Sequence, residues 1–246
     1  MSRQLETTLT EAATKSLSAA ATLEWLADME IEARSQRAIE RRFRWSRLQA
    51  QPSIDAFHFH HHKSRVQAKP RLLRLLDLSF LTKGTNIVLI GNPGVGKTFL
   101  AKLIAWRACQ ANQRVLFTTA MDMLNHLLAF QVDHSVVRKL RTYTEPSLLV
   151  CDELGYLALD QQTSNLFYQV ISTRHSHKRS TIITTNTPFS DWATSSLIRP
   201  LRPRLPTGSS RTPRSSCSVE TVCARPTKIR IRRPINRRLR EGAALW

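Results

Sequence analysis

Three groups of residues in this chain could do phosphate chemistry. The first is Gly91-Asn92-Pro93-Gly94-Val95-Gly96-Lys97-Thr98. It fits the G-x-x-x-x-G-K-[ST] spacing of a phosphate-cradling loop. Glycines at 91, 94 and 96 let the backbone curl so that successive N–H groups face phosphate oxygens. A helix opening just after the loop adds partial positive charge. Lys97 can reach the β- and γ-phosphates, and the Thr98 hydroxyl can face Mg²⁺. The second group is Asp152-Glu153, at the end of the apolar run Leu148-Leu149-Val150-Cys151. There Asp152 is expected to hold Mg²⁺ through water, and Glu153 to polarise an attacking water as general base. The third is Asn186, at the end of Thr181–Thr185 (TIITT), a candidate sensor of the γ-phosphate. The expected ligands are therefore ATP and Mg²⁺.

Such residues must sit on rigid strand ends, and the chain has the elements to supply them. Short apolar runs are expected as strands at Asn86–Ile90, Arg114–Thr119, Leu148–Cys151 and Thr181–Thr185. Helical stretches alternate with them at 98–111, 121–131, 136–143 and 162–174. Apolar strands alternating with helices predict an α/β fold with a parallel sheet covered on both faces. In additional-strand P-loop NTPases the strand ending at Asn186 would lie between the other two site strands.

Outside this core, residues 1–50 read as a helical N-terminal region, with Leu23, Leu26, Met29 and Ala33 at helical spacing. The second half of that region is rich in arginine, with Phe43, Trp45 and Leu48 interleaved. One of its faces can pack while another meets phosphates. Residues 51–70 read as a linker and loop. Its histidines, His58 and His60–His62, have no partner at metal-ligand spacing. Residues 71–194 form the expected P-loop core. Residues 195–246 read as an irregular, disordered basic tail. More than half of the eleven prolines fall in it, and its acids are Glu220 and Glu241 alone. Such a segment buries too little apolar surface to offset chain entropy.

The net charge is +19, from 37 Lys+Arg against 18 Asp+Glu, which points to a polyanionic partner such as nucleic acid. No apolar run reaches the roughly 20 residues of a bilayer span. The chain is expected to be cytoplasmic, with no membrane partner. Four cysteines without a Cys-x-x-Cys pair suggest neither a zinc site nor a disulfide framework.

The segments 89–101, 114–127, 148–172 and 180–192 resemble the IstB-like helper ATPases of insertion sequences. These are relatives of the DnaC helicase loader in the AAA+ superfamily. Asp-Glu-Leu-Gly-Tyr at 152–156 carries much of that likeness. The resemblance implies ATP binding, assembly of ATP-bridged homo-oligomers on double-stranded DNA, and engagement of the transposase of the same element. Two other readings remain: a DnaC-like helicase loader in DNA replication, and a hydrolysis-defective, truncated DNA-binding relic. The family continues past Trp192 with a last sheet strand, an Asp-Arg pair and a Ser-Tyr-Arg, and this chain shows none of these motifs. The aberrant tail is therefore expected to lack the last strand. It is read as the product of a frameshift near Ala193-Thr194. Without the trans-acting arginine of that pair, ATP binding with weak or absent turnover is expected.

Overall fold

The computed structural model describes residues 2–61, 63–130, 136–154, 160–187 and 219–223. Five parallel strands form its centre: β1 (Asn86–Ile90), β2 (Val115–Thr119), β3 (Leu148–Asp152), β4 (Ser180–Thr185) and β5 (Val219–Cys223). They lie in the order β2-β3-β4-β1-β5. The strand ending at Asn186 thus sits between the other two site strands, as the sequence implied.

Strand side chains alternate between faces, and the core divides accordingly. Ile87, Leu89, Val115, Phe117, Leu148, Val150 and Ile182 face one way, onto α5 (Lys97–Gln110) and α3 (Lys63–Leu75). Val88, Leu116, Leu149, Cys151 and Ile183 face the other way. They meet α6 (Ala120–Ala129), α7 (Val136–Thr144) and α8 (Gln161–Ser176). Helices on both faces explain why these strands read as unbroken apolar runs. A short α4 (Ser79–Lys83) ends in Gly84, at φ +63, just before β1. A Cβ on Gly84 would stand 2.8 Å from the Lys178 carbonyl oxygen.

Two expectations need correction. Residues 51–70 are not only loop. Two short 3₁₀ turns, Ile54–Ala56 and Phe59–His61, precede α3, which carries Pro70 inside it. Pro70 is on the exposed side, while Ala68, Leu72 and Leu75 are buried one and two turns apart. That apolar stripe outweighs the hydrogen bond the proline removes.

The N-terminal region is helical, as the sequence implied, and consists of two helices. α1 (Ser2–Thr14) and α2 (Ala19–Trp45) are separated by Ser18, whose hydroxyl caps α2 by accepting from the Ala21 N–H. Most of α2 stands clear of the core, and Leu23 is 68% exposed. Only its end docks. Phe43 meets Trp106 edge-on at 5.3 Å, and the Phe117 N–H donates to the Ser46 carbonyl at 2.8 Å.

The tail also contributes a strand. β5 runs parallel to β1, with Asn86 opposite Val219 and Ile90 opposite Cys223. Val-Glu-Thr-Val-Cys has the β-branched residues that suit a strand, and it covers an edge that would otherwise be open. The rest of the tail, Phe189–Trp192, and Gly155-Tyr156 of the family motif lie outside the described residues.

Candidate functional site

β1 delivers the chain to Gly91 at the carboxyl end of the sheet, and α5 begins at Lys97. The turn between them needs left-handed backbone at Gly94 (φ +79) and Gly96 (φ +89). Only glycine adopts such angles without cost. A Cβ on Gly96 would also stand 2.7 Å from the Phe57 ring. The loop is thus held against the segment that precedes α3.

Within the loop the Lys97 ammonium donates to the carbonyls of Gly91 and Asn92, each at 2.9 Å. Burial lowers its pKa, and the nearby Asp152 and Glu153 charges partly oppose that. A half-buried ammonium resting on neutral carbonyls is well placed to be drawn to an anion.

Asp152 is 3% exposed at the end of β3. Its Oδ1 accepts from the Thr98 hydroxyl at 3.1 Å and also from the Thr184 hydroxyl. Thr184 in turn accepts from the Glu153 N–H at 2.9 Å. These bonds fix the turn after β3, where Glu153 takes φ +62, a strained angle for a residue with a side chain. The exposed Glu153 then lines a cavity of about 260 Å³ with Gly94, Gly96, Lys97, Thr98 and Asn186. Pro93 lines it as well, so loop, acid and strand-end amide converge on one space. Asn92 and Val95 complete the loop; Val95 offers its carbonyl outward, to Arg65.

The profile of the IstB-like ATP binding protein family matches residues 1–197. The chain belongs to that family. It is 35% identical over 167 residues to a Geobacillus stearothermophilus protein named for ATP binding in insertion sequence IS5376. That match covers 68% of this chain and 65% of the relative. A Bacillus thuringiensis counterpart from IS232 is 35% identical over 176 residues, covering 72% of this chain and 69% of its own. The chain thus spans about two thirds of the length of these relatives. Among solved structures, DnaI superposes with TM-score 0.52 at 21% identity, over 61% of this chain and 80% of that one. This likeness supports the α/β P-loop fold.

The donor set of this IstB-like protein fits Mg²⁺. A carboxylate and a hydroxyl, both hard oxygen donors, meet at Asp152 and Thr98. Magnesium usually takes only one or two protein ligands and fills its octahedron with water and phosphate. No cluster of three metal-ligating His, Cys, Asp or Glu occurs among the described residues.

Sequence reasoning missed two contributors. Thr184 had a visible signal, since a threonine pair closes β4 beside Asn186. Arg65 had none. Its guanidinium donates to the carbonyls of Val95 (3.0 Å), Gly94 (3.1 Å) and His58 (3.2 Å). It also lies 4.7 Å over the Phe57 ring, which stacks on Phe99 at 5.6 Å. With the carbonyls of Gly94 and Val95 held outward by Arg65, the loop is braced from behind.

Proposed function

We propose that this chain is an ATP-binding accessory protein of DNA transposition. In this reading it binds Mg-ATP at the loop, holds double-stranded target DNA and engages the transposase of its own element. The convergence of Lys97, Thr98 and Glu153 on one cavity, with Asp152 bonded to Thr98 behind it, carries the nucleotide part of the proposal. The backbone N–H groups of Gly91–Gly96, Pro93 excepted, would cradle the phosphates. Lys97 would bind the β- and γ-phosphates, and Thr98 with Asp152 would hold Mg²⁺, which neutralises phosphate charge. Glu153 would orient a water and accept its proton, while Asn186 would read the γ-phosphate position.

The excess of basic residues supports the DNA part, and family membership supports the transposase part. The same membership supports ATP-bridged assembly into a homo-oligomer. No described helix is long and apolar enough to cross a membrane, and we place the protein in the cytoplasm. Turnover is expected to be slow, because no arginine of the tail stands in a recognisable trans-acting context. Robust DNA-stimulated single-turnover hydrolysis would contradict that.

The test is duplex DNA binding with and without Mg-ATP, on the native chain and on Lys97→Ala. The proposal expects nucleotide to tighten binding to the native chain only. Binding indifferent to ATP and to Lys97→Ala would favour a charge-driven relic. Co-purification with a replicative helicase in place of the transposase would favour a loader.

A further inference from the structure

A second concave site lies at the opposite end of the strands from the phosphate cavity, where β2 and β3 begin. It is a cleft of about 600 Å³ between the end of α2, the start of β2 and α7. Arg41, Arg42, Arg47, Arg114, Arg138 and Arg141 line it, and the one acid in its wall is Glu145. That acid is committed to Arg114, at 3.6 Å. Arg41, Arg138 and Arg141 form no ion pair among the described residues. Arg42 donates through Nη1 to the Ala38 carbonyl at 3.2 Å, yet its enclosed Nε has no hydrogen-bond partner. So much converging charge, with so little internal compensation, marks a site for a polyanion. Trp45 sits in the same wall and is 78% exposed.

We propose that this cleft binds an unpaired nucleic-acid strand, the arginines holding its phosphates and Trp45 stacking on a base. This extends the nucleic-acid reading of the charged helix to a named site and to a different form of the polymer. Two observations favour a strand over a small anion or a duplex. Arg37, Arg41 and Trp45 follow one another at four-residue spacing, about 6 Å apart along the helix, so the path continues beyond the cleft, where the Arg37 guanidinium meets Glu30 at 3.1 Å. An exposed indole gains by stacking on a free base, whereas a duplex keeps its base faces inside its own stack.

The test uses the full chain and labelled oligothymidine of about twenty nucleotides, compared with a duplex of the same length, by fluorescence anisotropy. Trp45→Ala is expected to weaken strand binding about ten-fold and to leave duplex and Mg-ATP affinities unchanged. Trp45→Phe should retain most of the strand affinity. The double variant Arg138→Ala, Arg141→Ala should lower the salt dependence of strand binding by about two phosphate contacts. Unchanged Mg-ATP affinity establishes that the variants fold. Three results would overturn the proposal: strand affinity untouched by Trp45→Ala, an equal loss for the duplex, or displacement of the strand by polyglutamate of matched charge. A strand result of either sign leaves the ATP dependence of duplex binding to be read separately, so the two proposals fail independently.

Discussion

Arg174 is a buried cation with no carboxylate partner among the described residues, and replacing it tests how the site strands are held. Its side chain lies on α8 at 0% exposure. Nε donates to the Thr181 hydroxyl at 2.9 Å, and Nη1 to the carbonyls of Tyr143 (2.8 Å) and Pro146 (2.9 Å). Nη2 donates to the Ser180 carbonyl. One side chain therefore ties the end of α7 and the approach to β3 to the start of β4. These are the strands whose far ends carry Asp152, Thr184 and Asn186. Burial, with repulsion from Arg179, lowers the guanidinium to about 9, so it stays charged at neutral pH.

At about 1 kcal/mol for each of the four bonds, Arg174→Ala should cost about 4 kcal/mol. Against a typical domain stability of about 5–15 kcal/mol, the variant would be marginal. Arg174→Lys keeps the charge but loses the planar fork, and should recover only part of the loss. Urea unfolding followed by circular dichroism reads both as shifts in midpoint at constant slope. A midpoint for Arg174→Ala within about 1 kcal/mol of the native chain would refute the reasoning, as would full rescue by lysine.

Further predictions concern the loop, the thiols and a helix cap. Arg65→Ala should weaken Mg-ATP binding about 5- to 30-fold through the lost brace on Gly94 and Val95, read with a fluorescent nucleotide; unchanged affinity would count against it. Burial raises the thiols of Cys109 to about 11 and of Cys151 to about 12. Both should therefore resist iodoacetamide at mildly alkaline pH until the chain is denatured, as peptide mass spectrometry would show. Asp160 caps α8, accepting from the Thr163 hydroxyl and N–H, which hold its pKa below the usual 3.8. Its contribution is present above that value and is lost as pH falls through the lowered folded-state pKa. Asp160→Ala should lower the melting temperature near neutral pH and remove that acid sensitivity, and an unaltered pH profile would contradict the assignment.

Much of this site was legible because its chemistry is local in sequence. The glycine-lysine-threonine loop sits directly after an apolar run, so strand, turn and helix could all be placed. The strand ending at Asn186 could be ordered between its neighbours from the resemblance to a known architecture. What escaped notice acts through tertiary packing. Pro70 lies in the stretch read as linker and loop, yet buried Ala68, Leu72 and Leu75 hold α3 together around it. Val219–Cys223 was hidden among prolines and arginines, although its own residues suit a strand and the edge of β1 receives it. Arg65 and Arg174 look like ordinary helical arginines. Their partners are carbonyls about 30 residues away in sequence, and no local pattern announces them.

The central claim is that Mg-ATP is held by Lys97 together with the Thr98–Asp152 pair. Calorimetric titration of the native chain, Lys97→Ala and Asp152→Asn with a non-hydrolysable ATP analogue, with and without Mg²⁺, tests it most directly. The account predicts that Lys97→Ala abolishes measurable binding. It also predicts that Asp152→Asn removes the gain in affinity that Mg²⁺ gives the native chain. Equal affinity in all three proteins, or a magnesium effect that survives Asp152→Asn, would contradict it.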